Sequence, residues 1–260
     1  RTCSTSRGCD EAIGHGPLRI TVARRPLEPT GLPLVDGLPA LERPTIENYC
    51  GASAEYIRGA TALGPKKAKA AQIRLSNALG EVTLADLRAQ GIALPEAIAG
   101  EREVGGGLRS VQADVSEMTP RDGLTLAIEI KPVHLAVGRA IWNRCGDVRT
   151  FAVKLHLKFP FAVVGGILSL PTTERIRSGN DEDWKSTTHL VTRAVGRFMR
   201  AGGRATEGDA SHLMEGIAVV AFDRETGNIE PDLPPPGSGL RWEEFIATMA
   251  EVYDARFGDI

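Results

Sequence analysis

Apolar and polar residues alternate through Ser110-Val111-Gln112-Ala113-Asp114-Val115-Ser116 and again through Leu124-Thr125-Leu126-Ala127-Ile128-Glu129-Ile130-Lys131. A period of two is the signature of a strand with two unlike faces. Between the stretches lies Thr119-Pro120-Arg121-Asp122-Gly123, whose Pro and Asp-Gly are turn chemistry. The pattern predicts a β-hairpin with Leu124, Leu126, Ile128 and Ile130 on one face and Thr125, Ala127, Glu129 and Lys131 on the other. A loop at Arg121-Asp122 sets Asp114 opposite Glu129, and a loop at Asp122-Gly123 sets it opposite Lys131. Opposed residues of an antiparallel pair share a face, so either register gathers Asp114, Glu129 and Lys131 on one surface.

The rest of the chain changes period several times. Residues 1–45 are rich in Gly, Pro and Arg and read as an arm, with one short strand expected at Leu18–Val22. Helical spacing then predicts helices at Ala52–Ala62, at Pro65–Leu79 and at Thr83–Gln90, with Thr83 as a cap and Gly91 as a stop. Gly100–Gly107 reads as a loop with a short strand near Arg102–Val104. A helix is expected within His134–Leu157, a buried strand at Phe161–Leu170 and a polar loop at Thr172–Asp183. Lys185–Met199 reads as a helix, Glu215–Phe222 as a second buried strand, and Trp242–Phe257 as a closing amphipathic helix after the break at Pro231–Gly239. This order predicts a mixed α/β (α+β) fold, a central mixed sheet flanked by helices.

Composition narrows the function classes. The 260 residues carry 31 Lys and Arg against 33 Asp and Glu, so a nucleic-acid surface has to come from local clustering. No apolar run approaches the ~20 residues of a membrane span, and no charged start followed by an apolar core marks a secretory signal; a cytoplasmic protein is expected. Cys3, Cys9, Cys50 and Cys145 form no Cys-x-x-Cys pair, with or without His15, so free thiols are expected rather than zinc. His134, His156, His189 and His212 fit no metal spacing. Gly105-Gly106-Gly107 lacks the helix and Lys-Ser/Thr of a phosphate loop, and Gly237-Ser238-Gly239 follows prolines rather than a strand. Trp142, Trp184 and Trp242 read as packing anchors. Lys66, Lys67, Lys69 and Arg74 read as a solvated helix face. From Lys131 to Lys158, Arg139, Arg144, Arg149 and Lys154 stand against Asp147 alone, an excess suited to a phosphate backbone.

Asp114, then Glu129-Ile130-Lys131 on the adjacent strand, followed by a helix and an apolar strand, resembles the PD-(D/E)xK nuclease superfamily. The resemblance covers about Pro65 to Leu170, and Ala113 stands where the superfamily usually has Pro. It implies a restriction-endonuclease-like core over 65–170 within a nuclease domain spanning 46–260, with 171–260 adding C-terminal strands and helices. It also implies a Mg²⁺-dependent endonuclease acting on double-stranded DNA, of the sequence-specific type II kind, working as a homodimer and leaving 5′-phosphates. Asp114, Glu129 and Lys131 would be catalytic. Asp114, Glu129 and the Ile130 carbonyl would hold the metal, with Glu81 or Glu55 as a further acidic ligand. Arg139, Asn143, Arg144 and Arg149 would contact DNA, and residues 172–212 would add specificity or dimer contacts. Independently of the family, two carboxylates are hard ligands suited to Mg²⁺, Lys131 can orient or deprotonate a water, and Gln112 and Ser116 can hold further waters. Two other readings stay open: a non-catalytic DNA-binding or assembly protein on a nuclease-like fold, and a structure-specific repair or recombination nuclease.

Overall fold

In the computed structural model, which describes residues 45–178 and 181–258, the alternating hairpin forms β2 (Ser110–Thr119) and β3 (Gly123–Pro132). β1 (Ile98–Gly105) pairs antiparallel with β2. The apolar runs β4 (Val163–Pro171) and β7 (Gly216–Phe222) add in parallel beyond β3, giving one mixed sheet in the order β1-β2-β3-β4-β7. Parallel neighbours need crossover connections, which here contain α3 (Val137–His156) and α4 (Thr188–Phe198). Both of these pack on one face of the sheet. The opposite face is covered by α1 (Ile46–Gly59), α2 (Pro65–Ala89) and α5 (Trp242–Phe257). β4 and β7 are buried along their whole length because helices cover both faces. The described residues all belong to one compact unit. None of their helices is long and apolar enough to cross a membrane.

Close helix–sheet packing depends on Gly166 in β4. A Cβ built there would lie 2.5 Å from Val148 of α3 and 3.0 Å from the Met214 sulfur. Val148 is a stiff β-branched side chain on a fully buried helix face, so it has no free direction to yield. Gly166→Ala should therefore cost about 1–3 kcal/mol through overpacking. A lowered urea midpoint with an unchanged slope would show it.

Several expected elements change form. The helices expected at Pro65–Leu79 and Thr83–Gln90 are one continuous helix, α2. Thr83 is no cap; it is buried mid-helix and donates its hydroxyl to the Leu79 carbonyl at 2.7 Å. Gly91, with φ 89°, does end the helix. The loop expected at Gly100–Gly107 is mostly β1. The polar loop expected at Thr172–Asp183 is instead a separate hairpin, β5 (Thr173–Ser178) and β6 (Asp181–Ser186). The sequence hides it because Thr-Glu-Arg-Ile-Arg-Ser and Asp-Glu-Asp-Trp-Lys-Ser carry one apolar residue each, too few to show a two-residue period. The arm over 1–45 lies outside the described residues except for Thr45, whose hydroxyl accepts from the Asn48 N–H at 3.2 Å and caps α1. The strand expected at Leu18–Val22 and the free thiols expected at Cys3 and Cys9, with His15 beside them in sequence, lie outside them too.

Candidate functional site

The β2–β3 turn is neither of the two-residue loops. Thr119 pairs with Gly123 across Pro120-Arg121-Asp122, and Gly123 takes φ 72°. An extra residue, Thr125, then sits between the pairs Met118↔Leu124 and Glu117↔Leu126. The longer loop on one strand and the bulge on the other cancel. The outer register is therefore the one an Arg121-Asp122 loop would give, with Val115 opposite Ile128.

The bulge also corrects the expected faces. Leu124 packs on the α3 side with Ala127, away from Leu126, Ile128 and Ile130. Thr125 turns from the Glu129 face to the other, where its hydroxyl donates to the Glu117 carboxylate at 2.9 Å. Glu117 is fully buried and also accepts from the Tyr253 hydroxyl and, at 3.3 Å, from the Glu96 N–H. On β2, Val111 and Ala113 pack on the α3 side but Val115 on the other, so the side changes across Asp114. The β1–β2 register shifts at the same level, between Ala99 and Arg102, where Gly100 takes φ 125°. A bulge of this kind re-aims side chains and ends regular pairing.

Pairing of β2 with β3 stops at Val115↔Ile128, and the Asp114 side chain replaces the missing strand: its Oδ2 accepts from the Ile130 N–H at 2.6 Å. N–H and C=O of one strand residue leave on the same edge, so the Ile130 carbonyl faces this edge as well. Glu129 and Lys131, two residues apart on one face, form an ion pair. Asp114, Glu129 and Lys131 line one open cleft of roughly 480 Å³ together with Gln112, Glu101 and Arg109 from the β1–β2 side. Asp147, Thr150 and Lys154 of α3 form its far wall. Spacings of three and four along the helix put those three on one stripe.

Four carboxylates against three cations, in a cleft that buries Glu129 to 8% exposure, make a negative recess. Burial pushes the Glu129 carboxyl up to about 7 although Lys131 opposes the rise and Asp114 adds to it. Burial likewise raises Asp114, against the Ile130 N–H and Lys131. A raised carboxyl pKa means the folded chain holds its proton more tightly than the unfolded one. The Glu129 contribution is therefore favourable below the unfolded value of 4.5 and is lost as pH climbs towards 7. Glu129→Gln mimics the protonated form. It should raise the thermal midpoint of the metal-free protein at pH 8, by an amount corresponding to a few kcal/mol, and leave it nearly unchanged at pH 4.5. Scanning calorimetry in EDTA at the two pH values would detect this, and equal shifts at both would contradict it.

The donor set suits a hard cation. Only one Asp114 oxygen is committed to the Ile130 N–H, and the partner of Glu129 is an exchangeable ammonium. No group of three or more His, Cys, Asp or Glu is arranged for a metal among the described residues. Two carboxylates and a carbonyl, with water or phosphate completing the shell, is how Mg²⁺ is usually held, unlike a closed zinc site.

Other expected site residues lie elsewhere. Glu81 is exposed on α2, which covers the opposite face of the sheet, and neither it nor Glu55 lines the cleft; Glu101 and Asp147 supply the additional acids. Ser116 is fully buried opposite Ala127, so only Gln112 reaches the cleft. Arg139, Asn143 and Arg149 are exposed on α3 outside the cleft lining, and Arg144 pairs with Asp147 at 3.0 Å. Lys66, Lys67 and Lys69 are exposed on α2, as a solvated face requires. The sequence carried one overlooked signal: the Asp147-Thr150-Lys154 stripe is legible once α3 is assigned, whereas Glu101 is placed only by the irregularity at Gly100.

His134 and His156 are interior residues. His134 lies 3.4 Å from the Tyr49 hydroxyl and edge-on to Tyr56, and burial holds its imidazole down at about 4. Trp242 is an anchor, donating its indole N–H to Asp86 at 2.7 Å. Trp184 lies under the Arg224 guanidinium. Cys50 and Cys145 are buried free thiols.

No family model, no curated protein and no solved structure matches this chain.

Proposed function

We propose that the chain is a Mg²⁺-dependent nuclease hydrolysing phosphodiester bonds of double-stranded DNA, on a core of the restriction-endonuclease kind. The observation that carries this reading is the break in β2–β3 pairing, which turns Asp114 onto the Ile130 N–H beside the Glu129–Lys131 pair in an open cleft. Ordinary surface charge on a half-solvated sheet needs no such break, and it would not be buried as Glu129 is. The helix between β3 and the apolar strand β4 also follows the chain order that the resemblance leads one to expect.

Asp114, Glu129 and the Ile130 carbonyl would hold Mg²⁺. A bound ion would supply Lewis acidity at the phosphate and offset the negative charge that otherwise repels it from this recess. Lys131, drawn close by Glu129, presents N–H donors to a water or to the oxygen that gains charge in the transition state. Glu129 fixes that ammonium in place. Arg109 and Lys154 form no ion pair among the described residues and flank the acids, where they are free to receive phosphate oxygens.

The test is digestion of unmethylated phage and plasmid DNA with Mg²⁺, beside an EDTA control and the Glu129→Ala protein. Discrete fragments lost in both controls would support a sequence-specific enzyme, and palindromic cut sites mapped from them would fit a symmetric dimer. Cutting only at branches or nicks would favour a structure-specific nuclease. A protein that shifts DNA but cuts no substrate form with any divalent ion would be a binding module.

A further inference from the structure

The flank of α3 turned away from the cleft carries a second charged feature. Trp142 lies under two guanidinium groups of α4 at once, Arg193 at 5.1 Å and Arg197 at 4.1 Å from the ring centroid. One cation over an indole is a favourable and common contact. Two are not, because arginines four apart on a helix repel each other. Neither has an ion-pair partner among the described residues, and both are exposed. Their own segment offers no relief: from Lys185 to Arg204 there is no Asp or Glu, while His189, Arg193, Arg197 and Arg200 intervene. On α3, Arg149 stands seven after Trp142, hence on the same stripe, and it is exposed. The single acid of α3, Asp147, is engaged by Arg144.

We infer that this α3–α4 ledge, with Arg193, Arg197 and Arg149 around Trp142, is a binding surface for the phosphate backbone of duplex DNA, separate from the cleft. A row of phosphates is the partner whose charge is repeated at the spacing of such side chains. It would neutralise both stacked guanidiniums, which a single carboxylate of a protein partner would not. The ledge and the cleft lie on two flanks of one helix, about 10 Å across. A duplex whose scissile phosphate enters the cleft would thus rest its flanking backbone on the ledge. Duplex DNA as the occupant rests on the nuclease reading, but binding at the ledge is measurable without cleavage.

The experiment is fluorescence anisotropy of the full chain with a labelled 30-base-pair duplex in EDTA, across a salt series. The parent protein is compared with the Arg193→Ala/Arg197→Ala and Arg193→Lys/Arg197→Lys double variants, after circular dichroism has shown that each is folded. Losing two phosphate contacts should lower the slope of log K against log salt by about 2 and weaken binding about tenfold near 0.2 M salt. The lysine variant, which keeps the charge, should retain the slope. An alanine variant with the parent's affinity and slope would overturn the ledge, as would a parent protein that binds no duplex, including one captured only by acidic protein. Ledge-dependent binding by a protein that never cuts DNA with Mg²⁺ would uphold the ledge while removing the nuclease reading. Cutting that is lost only in cleft variants, with DNA binding unchanged by Arg193→Ala/Arg197→Ala, would remove the ledge while upholding the nuclease reading.

Discussion

In the proposed nuclease, Lys131→Ala is expected to lower Mg²⁺-dependent DNA cleavage by about 10²–10³-fold, the usual loss when one donor aimed at developing charge is removed. Binding of duplex should change far less, because Lys131 is a single cation among several along the cleft and the ledge. The separation matters: a fall in single-turnover rate with near-constant Kd assigns Lys131 to the chemical step, whereas parallel losses would make it one more phosphate contact. Removal of Lys131 also strips Glu129 of the charge that opposes its raised pKa. Any residual activity should therefore need higher pH to reach its plateau. A variant with parent-like rates would remove Lys131 from the mechanism and, with it, the best reason for reading the cleft as a nuclease site.

Glu215→Ala is expected to destabilise the fold by about 3–5 kcal/mol, the cost of removing one partner from a buried charge network. Glu215 immediately precedes β7, and its side chain is fully buried. One oxygen accepts from Arg204 and from Arg256, each at 2.8 Å; the other accepts from the Val164 N–H at 2.9 Å and lies 3.2 Å from His156 Nε2. The carboxylate thus ties the end of α3, the start of β4 and the end of α5 to the start of β7. Without it Arg204, 2% exposed, is left as a buried cation. Urea unfolding at pH 7 measures the loss, and a change under 1 kcal/mol would show that the network is not structural. Burial alone would raise the Glu215 pKa, but His156, the Val164 N–H and Arg204 together hold it below its ordinary value of 4.5. Its contribution is thus complete above pH 4.5 and lost as pH falls through the lowered folded value.

The two acids most central to this chain look alike in sequence, and only one was legible. Glu129 stands in an alternating strand two residues from a lysine, and the two-residue period places both on one face whatever the rest of the chain does. Glu215 precedes an apolar run and reads as its polar boundary. Its partners are 11, 41, 51 and 59 residues away, and no local pattern records separations of that kind.

The sequence by itself determined the hairpin, the buried strands β4 and β7, the closing helix α5, and the gathering of Asp114, Glu129 and Lys131, because each follows from local periodicity and turn chemistry. It did not determine the bulge at Thr125, which exchanges the faces of Leu124 and Thr125, nor the loss of pairing beyond Val115. Those are settled by which side chains each of the two helical layers accepts on its face of the sheet. Tertiary structure also decided which charges meet. Glu101 and Asp147, rather than Glu81 or Glu55, reach the cleft, and Arg193 and Arg197 converge on Trp142, since a helix shows its neighbours only the flank that packing turns toward them.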